Sequence, residues 1–362
     1  MSTPPRRVHQ LLATLSYGDA IGNEALAIQA RLRQAGFESD IFAETVHPRM
    51  VGHARPLWQY PEVSSPETVC LFHFAVGSPA GRLAYHVPDR LVLVYHNITP
   101  AEHFLGFQNH LFGLCYHGRR GLAAFAARTE LALAKSEFSR RELVDAGFER
   151  TGVLPIVLDL ERYVREPSRV VRRLYDDGRT NVLFVGRIIP NKKIEDVLRA
   201  FTVYQRHFDR RSRLLLVGDD LGCPNYVDAL AERIEALRLR DVVFAGHVDD
   251  ADLFGYYSVA DLFLCLSEHE GYCVPLMEAM VFGLPVVAYD AGAVAETLGG
   301  AGVLLAQKDP ALVAGVVDRL QRDDVVRKAV LATQERTLAS VRATDFGALL
   351  LERLAPVLGR AA

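Results

Sequence analysis

Short apolar runs alternate with amphipathic, helix-like stretches along the whole chain. The first run, Val8–Leu15, is followed by a glycine-bearing turn (Ser16–Gly22) and a predicted helix from about Asn23 to Ala35. Apolar runs of this length, separated by helical patterns, predict parallel strands joined by helices. The other predicted strands of the first half are Ser39–Phe42, Thr68–Phe74, Leu91–Tyr95 and Leu131–Ala134.

A second series of the same kind begins after Pro155. Its predicted strands are Asn181–Val185, Arg213–Val217, Val242–Ala245, Leu262–Cys265, Pro285–Ala288 and Gly302–Leu305. Two such series in 362 residues predict two doubly wound α/β domains, over residues 1–160 and 161–344. We expect a last helix, within residues 345–362, to pack back on the first domain. Ligands of open α/β sheets bind beyond the carboxyl ends of the strands, so two such domains facing each other would form an interdomain cleft.

Composition and charge restrict the function classes. Half of the residues are hydrophobic and the formal net charge is -3, so nothing in the charge favours a nucleic-acid partner. Apolar runs are too short for a signal peptide or a membrane crossing, which predicts a cytoplasmic protein and leaves a peripheral contact with the inner face of the membrane open. The cysteines have neither paired nor metal-type spacing, which predicts reduced core residues; they are Cys70, Cys115, Cys223, Cys265 and Cys273.

The segment Ser267–Pro285 carries two carboxylates, Glu270 and Glu278, around the start of a predicted helix at about Val274. A diphosphate fits between them, because a helix N-terminus offers unpaired N–H donors and a partial positive charge. Each carboxylate accepts hydrogen bonds from paired hydroxyls, such as those of a sugar and a ribose. This pattern indicates a nucleotide-sugar site; the alternative is a solvated helix residue and a helix-dipole partner.

Several motifs resemble, in order and spacing, the retaining glycosyltransferases of family 4 (glycosyl transferases group 1). That family has the GT-B fold of two Rossmann-like domains. In the second half the motifs are Val185–Phe201, Leu214–Asp219, Val242–Met280 and Leu284–Leu305. In the first half they are Gly18–Leu26, Tyr95–Phe104 and Ala134–Phe148. The resemblance therefore covers nearly the whole chain.

The resemblance implies roles around the two carboxylates. Glu278 would bind the nucleotide ribose, and Glu270 would contact hydroxyls of the donor sugar. Gly271 permits a tight turn. The backbone amides that would approach the phosphate or the sugar are those of Tyr272, Cys273 and Val274.

Arg187 and Lys192 follow the strand Asn181–Val185 and a glycine. Cleavage of a sugar–phosphate bond leaves extra negative charge on the diphosphate, which fixed cations stabilise. The alternative is two surface cations that flank a turn. The family often has glycine after the lysine, where this chain has Lys193, which adds charge to the site or is solvated.

In the first half, Gly18 and Gly22 bound the loop that follows the first strand, and the resemblance makes it the loop that approaches the donor phosphate or the acceptor. Asp19 would accept a hydrogen bond from an acceptor hydroxyl. His96 closes the strand Leu91–Tyr95, and in the family its N–H hydrogen-bonds a donor hydroxyl; the alternative is a structural histidine that caps the turn.

Further candidates lie after other predicted strands. His73 has the same geometry as His96, and His269 is expected to support the loop beside Glu270. The remaining candidates are expected near the base (Asp219 and Gly246–Val248) or at the sugar or nucleotide pocket (Glu296 and Asp290–Gly292), with helix capping as the alternative for the latter pair.

Together with these residues, the resemblance implies a retaining hexosyltransferase that uses a UDP- or GDP-linked donor and an acceptor hydroxyl. The acceptor is a saccharide, a lipid-linked molecule or a small molecule, for glycan, glycolipid or exopolysaccharide synthesis. Arg187 and Lys192 can take the role of a metal ion, so we expect no required metal and no other cofactor. The alternatives are a catalytically silent nucleotide-sugar-binding protein and another GT-B enzyme, such as a sugar phosphorylase or a nucleotide-sugar epimerase.

Overall fold

The computed structural model describes residues 7–156, 160–220 and 222–359. These residues form two compact units. The first contains the described residues up to Ala101, those from His110 to 156 and those from Thr344 onward. The second contains Glu102–Asn109 and the described residues from 160 to Ala343.

The first unit is built on a seven-stranded parallel sheet with the strand order β3-β2-β1-β4-β5-β6-β7. The strands are β1 (Val8–Leu15), β2 (Ile41–Val46), β3 (Arg55–Pro56), β4 (Val69–Phe74), β5 (Arg90–Tyr95), β6 (Thr129–Ala134) and β7 (Thr151–Val153). The helices are α1 (Ala20–Gln34), α2 (Pro79–His86), α3 (Asn109–Gly121), α4 (Glu137–Asp145) and, at the other end of the chain, α13 (Phe346–Leu358).

The second unit is built on a six-stranded parallel sheet with the order β10-β9-β8-β11-β12-β13. The strands are β8 (Asn181–Val185), β9 (Arg213–Val217), β10 (Val242–Gly246), β11 (Leu262–Cys265), β12 (Val286–Tyr289) and β13 (Val303–Leu305). The helices are α5 (Arg169–Tyr175), α6 (Ile194–His207), α7 (Pro224–Ala236), α8 (Asp250–Val259), α9 (Val274–Val281), α10 (Val294–Leu298), α11 (Pro310–Arg322) and α12 (Asp324–Arg342).

Burial of both sheet faces explains why the central strands are apolar without alternation. In β4 all six residues are buried, and β9 is buried along its whole length. The last helix, α13, is capped by Asp345, whose side chain accepts a hydrogen bond from the Ala348 amide (3.0 Å). Its residues Leu350 and Leu354 lie in the same core cluster as Leu71 of β4, so the C-terminal helix completes the first unit.

The predicted fold class is confirmed, and most strand predictions hold to within one or two residues. Val8–Leu15, Asn181–Val185, Arg213–Val217 and Leu262–Cys265 have the predicted bounds. Two short strands were missed, β3 and β7, because each has two or three residues, of which none is fully buried. Helix α1 begins at Ala20, three residues before the predicted start. Within the described part of the chain, no helix combines the length and the apolarity that a membrane crossing requires.

Candidate functional site

The predicted loops of the second unit lie at one edge of its sheet, since each follows the carboxyl end of a parallel strand. Strand order reverses between β8 and β11, which are neighbours in the sheet, and ligands of open α/β sheets bind at such a switch point. The loops after these two strands carry Lys192 and Glu270. They are also joined through Asn191, whose carbonyl oxygen accepts from the Glu268 amide (2.9 Å) and whose side chain donates to the His269 carbonyl oxygen (3.2 Å).

Lys192 and Glu270 form an ion pair at this switch point. Lys192 Nζ lies 2.7 Å from Glu270 Oε1, and the side chains are 15% and 7% exposed. Burial opposes ionisation of Glu270, but the charge and hydrogen bond of Lys192, with a hydrogen bond from Ser267, outweigh it and lower the pKa of the carboxyl. Burial likewise opposes the charge on Lys192, yet Glu270 raises the pKa of the ammonium. Both groups are therefore charged at neutral pH.

The backbone around Glu270 is held by the loop after β12. The Ala293 amide donates to the Glu270 carbonyl oxygen (2.9 Å). Gly292 has φ +61°, and a β-carbon there would come within 2.4 Å of the Glu270 carbonyl oxygen, so only glycine fits. Thr297 of α10 donates its hydroxyl proton to the Tyr272 carbonyl oxygen. The predicted Asp290–Gly292 turn thus positions the Glu270–Tyr272 backbone, while Glu296 lies exposed on α10.

Glu278 lies inside α9 and is buried, which excludes the solvated-residue interpretation. Its Oε1 accepts a hydrogen bond from the Tyr163 hydroxyl and its Oε2 from the Tyr257 hydroxyl, each at 2.8 Å. Burial raises the pKa of Glu278, and the two tyrosine hydroxyls oppose that rise. Each carboxylate oxygen has a second lone pair for a ligand hydroxyl. Ribose binding by Glu278 stays a prediction.

Other predicted residues of the second unit lie at the same sheet edge. Arg187 follows β8 and is exposed, and among the described residues its side chain has no ion-pair partner. Asp219 follows β9, and its carbonyl oxygen accepts from the Ile188 amide (2.6 Å). His247 Nδ1 lies 3.6 Å from Asp219 Oδ2, and Val248 beside it is half-buried.

The backbone conformation at Lys193 would suit glycine, the residue that the resembled family often has at this position. Its backbone has φ 51° and ψ 47°, the left-handed conformation in which a β-carbon is disfavoured. Its Nζ lies 3.2 Å from Glu268 and 3.6 Å from Glu195. The lysine is therefore paired rather than solvated.

The glycine loop of the first unit leads directly into α1. Gly18 has φ +72°. Gly22 lies in the first turn of the helix, where a β-carbon would approach the Ser16 carbonyl oxygen to 2.7 Å, so its small size lets the helix start pack against the preceding loop. Asp19 is half-buried at the N-cap and makes no side-chain capping hydrogen bond. Ligand binding by this loop and by Asp19 stays a prediction.

His73 and His96 form a directional hydrogen-bond chain with Gln10. Gln10 Nε2 donates to the Ala25 carbonyl oxygen (2.9 Å), so its Oε1 accepts from His73 Nε2 (2.9 Å). His73 Nδ1 then accepts from His96 Nε2–H (2.9 Å). Burial lowers the pKa of His73 to about 3 and lowers that of His96 well below its ordinary value, so both rings are neutral at pH 7. The Nε2–H of His96 thus donates to His73. A hydrogen bond from His96 to a hydroxyl of the donor sugar stays a prediction.

Glu24 and Lys135 complete this cluster. Lys135 Nζ lies 2.5 Å from Glu24 Oε1, and both side chains are almost fully buried. Glu24 Oε2 lies 3.8 Å from His96 Nδ1 and accepts no hydrogen bond from the described residues. Burial raises the pKa of Glu24 and lowers that of Lys135, and the attraction between the two groups only reduces these shifts.

Two groups of side chains have donor atoms within 4.8 Å of one another, close enough to share a metal ion. The first is Glu24, His73 and His96; here the histidine nitrogens already share a hydrogen bond and Lys135 places a positive charge beside the carboxylate. The second is Cys265, Glu270 and Cys273. All five cysteines are buried and outside any disulfide, as predicted. Their spacing gave no sign that a strand end and a helix start bring two of them together.

Sequence reasoning missed the partners of the predicted residues. Glu24 and Lys135 lie inside motifs that carry the family resemblance, but nothing in their spacing predicts a buried pair 111 residues apart. Tyr163 and Tyr257 are distant from Glu278 along the chain. The strand order, which places the ends of β1, β4, β5 and β6 at one sheet edge, brings Glu24 and Lys135 together.

Comparison with known proteins finds similarity to glycosyltransferases. Residues 179–323 match the family model of the glycosyl transferases group 1. The chain is 32% identical over 239 residues to a D-inositol 3-phosphate glycosyltransferase of Kineococcus radiotolerans, an alignment that spans 59% of this chain and about half (53%) of the relative. It is 27% identical to a GDP-mannose-dependent alpha-mannosyltransferase of Mycobacterium tuberculosis, over 76% of each chain. These similarities support a glycosyltransferase of group 1.

Solved structures agree with this glycosyltransferase fold. The crystal structure of Anabaena HepE in complex with UDP-glucose has a TM-score of 0.75 and 20% identity, over 97% of this chain and 99% of that protein. WaaG, a glycosyltransferase involved in lipopolysaccharide biosynthesis, has a TM-score of 0.68 and 17% identity, over 98% and 100%. At these identities the likeness shows the fold alone, which is the predicted GT-B fold of two Rossmann-like domains.

Proposed function

We propose that this glycosyltransferase moves a hexose from a nucleoside diphosphate sugar to an acceptor hydroxyl, with retention at the anomeric carbon. One observation carries the proposal: a charged Glu270–Lys192 pair at the strand-order switch point, next to the start of α9. A negatively charged sugar diphosphate needs cations and hydroxyl acceptors side by side, and this edge of the sheet provides both.

The cations would act on the leaving diphosphate. Lys192 Nζ uses one of its three N–H donors on Glu270, which fixes the ammonium and leaves two donors for phosphate oxygens. The exposed Arg187 guanidinium after β8 adds a planar set of donors. Because these charges are held before the reaction, they stabilise the developing negative charge without reorganising. The turn before α9 would add backbone N–H groups.

The carboxylates would hold the sugar portions. Glu270 would accept hydrogen bonds from hydroxyls of the donor sugar, and Glu278 from the ribose. The low pKa of Glu270 suits this role, since an ionised carboxylate is the stronger acceptor. Among the relatives, the name of one specifies GDP-mannose, and one structural neighbour was solved with UDP-glucose. A donor with either base is accordingly part of the proposal.

Transfer on one face of the sugar is the simplest route to retention. The acceptor hydroxyl would attack as the diphosphate leaves, and a phosphate oxygen would take the acceptor proton. Arg187 and Lys192 would supply the positive charge that this step needs, so transfer should continue in excess chelator. Loss of transfer in chelator with recovery on added metal would contradict metal independence, and a product with the inverted anomeric configuration in its proton NMR spectrum would contradict retention.

The test of the site is Lys192→Met, with Arg213→Gln as a matched control. The buried Arg213 forms an ion pair with the exposed Asp177 (2.7 Å) at the amino end of β9, the opposite edge of the same sheet. Loss of one fixed donor to the developing charge should lower kcat by about 10²–10³-fold for Lys192→Met, while Arg213→Gln keeps near-wild-type kcat.

The donor is found by calorimetry with UDP, GDP, ADP and their sugars, and transfer is then measured by product formation. Equal kcat in Lys192→Met and Arg213→Gln would overturn the assignment of Lys192. Tight binding of a nucleotide sugar with neither transfer nor hydrolysis would favour a silent binding protein instead.

A further inference from the structure

Two of the five cysteines lie next to the proposed donor site. Cys265 ends β11 and Cys273 immediately precedes α9; the thiols and the Glu270 carboxylate have donor atoms within 4.8 Å of one another. Cys265 Sγ also lies 3.3 Å from the Ser267 hydroxyl oxygen. Both cysteines are free in this structure. We call Cys265 and Cys273 the dithiol.

The backbone at Cys273 makes a side chain there unexpected. Its φ of 74° and ψ of 68° lie in the left-handed region, where a β-carbon is disfavoured and glycine is not. Strained residues of this kind persist where the surroundings hold them and cluster at functional sites. At Cys273 the residue that carries the strain also supplies a thiol within reach of Cys265.

The two thiols of the dithiol differ in acidity, which suits disulfide formation. A hydrogen bond from Cys273 lowers the pKa of Cys265, with help from Ser267, whereas the same hydrogen bond and burial raise the pKa of Cys273. Cys265 is the more deeply buried, at 2% exposure, and Cys273 is 9% exposed, so a small oxidant has the shorter path from the Cys273 side of the pair. The more acidic sulfur is the nucleophile of such a pair.

We propose that Cys265 and Cys273 are a redox-modification site, which a hydroperoxide converts to an intramolecular disulfide that disables nucleotide-sugar binding. The Cys265 thiolate attacks a peroxide oxygen and breaks the O–O bond, giving a sulfenic acid and, after protonation, water or an alcohol. The Cys273 sulfur then displaces the hydroxyl group, which leaves as water with the Cys273 proton. The two sulfurs lose two electrons in total, and the peroxide gains them.

Loss of donor binding follows from the position of the dithiol, and this part rests on the proposed function. A disulfide draws the sulfurs to about 2.05 Å, which moves the Glu270–Cys273 turn relative to β11. Glu270 and the amides before α9 move with that turn. Displacement of such groups by about 1 Å can cost on the order of 10²-fold in rate, so we expect a comparable loss of transfer that a dithiol reductant restores.

The experiment treats the full chain with hydrogen peroxide, blocks remaining thiols with an alkylating agent and maps peptides by mass spectrometry. Nucleotide-sugar binding and transfer are measured before oxidation, after oxidation and after reduction. Cys265→Ala removes the nucleophile and Cys273→Gly removes the second thiol at a position that accepts glycine. Cys223→Ala, at a buried cysteine before α7 of the same unit, is the matched control. Each protein is compared with its own reduced state, so a changed basal activity does not matter.

The expected result is a Cys265–Cys273 cross-linked peptide and a reversible loss of binding in wild type and Cys223→Ala, with no reversible loss in Cys265→Ala or Cys273→Gly. Absence of the cross-link would overturn the proposal, and so would a cross-linked protein that binds the donor normally. The peptide map does not depend on activity. A protein that binds no nucleotide sugar in any state would contradict the proposed function, while the map still decides whether the dithiol closes.

Discussion

Each unit of the molecule contains one buried glutamate–lysine pair at the carboxyl edge of its sheet, and the two pairs behave oppositely. In the first unit, burial raises the pKa of Glu24 and lowers that of Lys135. In the second unit, the pKa of Glu270 is lowered and that of Lys192 is raised. The distances are similar, at 2.5 Å and 2.7 Å, so the ion pair alone does not explain the difference.

The surroundings of the carboxylates explain it. Glu270 receives a further hydrogen bond from Ser267 and its side chain is 7% exposed, so its charge has more partners than that of Glu24. Glu24 Oε2 accepts no hydrogen bond within the described part of the chain and faces the unprotonated Nδ1 of a neutral His96. The second pair is therefore a fixed pair of charges that can act on a ligand, whereas burial disfavours both charges of the first pair, which ties α1 to the end of β6.

The largest expected effect is on stability, where variants of the two glutamate–lysine pairs should differ. Lys135→Met leaves both Glu24 oxygens buried without a donor, which should lower the free energy of unfolding by about 3–5 kcal/mol. Lys192→Met should cost less, because Glu270 keeps its Ser267 hydrogen bond and its partial exposure. Denaturant titration measures both, followed by circular dichroism and by the fluorescence of Trp58, the single tryptophan, which lies in the first unit.

The double variant Glu24→Leu/Lys135→Met is the control for that comparison. Removal of both buried charges should restore most of the stability lost in Lys135→Met, since replacing a whole buried pair is often neutral. An equal loss in Lys135→Met and Lys192→Met would contradict the distinction between the two pairs.

The same contrast marks what could be predicted from the sequence. The strands, the loops that carry Arg187, Lys192 and Glu270, and the helix that carries Glu278 were predictable, because apolar runs and turn residues are local signals. The first pair was not, because the burial of Glu24 depends on where α1 packs. The Gln10–His73–His96 chain likewise depends on strands β1, β4 and β5 being neighbours, and strand order is not written in any local pattern.

A second prediction uses pH to sharpen the contrast. His73 has a folded pKa of about 3, below its ordinary value, and that of His96 is also lowered, so their stabilising contribution is complete above about pH 6.5 and is lost as the pH falls. Each neutral histidine should cost about 1.4 kcal/mol per pH unit below that point. Glu270, with a lowered pKa, loses its contribution only below its ordinary range, and Glu24, with a raised pKa, contributes at acidic pH and loses that contribution as pH rises.

Between about pH 5 and 6.5 most of the acid sensitivity should therefore come from His73 and His96 of the first unit, and His103 of the second unit, whose pKa burial also lowers, adds to it. His73→Gln should reduce the slope of unfolding free energy against pH by nearly one proton. Val92→Ala, a core variant that keeps both histidines, should lower stability at every pH and leave the slope unchanged. A wild-type slope in His73→Gln would mean that His73 is already protonated in the folded protein.

The smallest expected effect tests the loop that supports the second pair. Lys193 has φ 51° and joins Glu268, next to the Glu270 segment, through a 3.2 Å ion pair. Lys193→Gly and Lys193→Ala both remove this ion pair, but only glycine relieves the left-handed backbone. The glycine variant should therefore be the more stable of the two by about 1 kcal/mol, although its unfolded chain has more freedom. Thermal unfolding of the two variants measures the difference. If the alanine variant is as stable as the glycine variant or more stable, backbone strain does not explain the family's preference for glycine at this position. The lysine would then be retained for its charge.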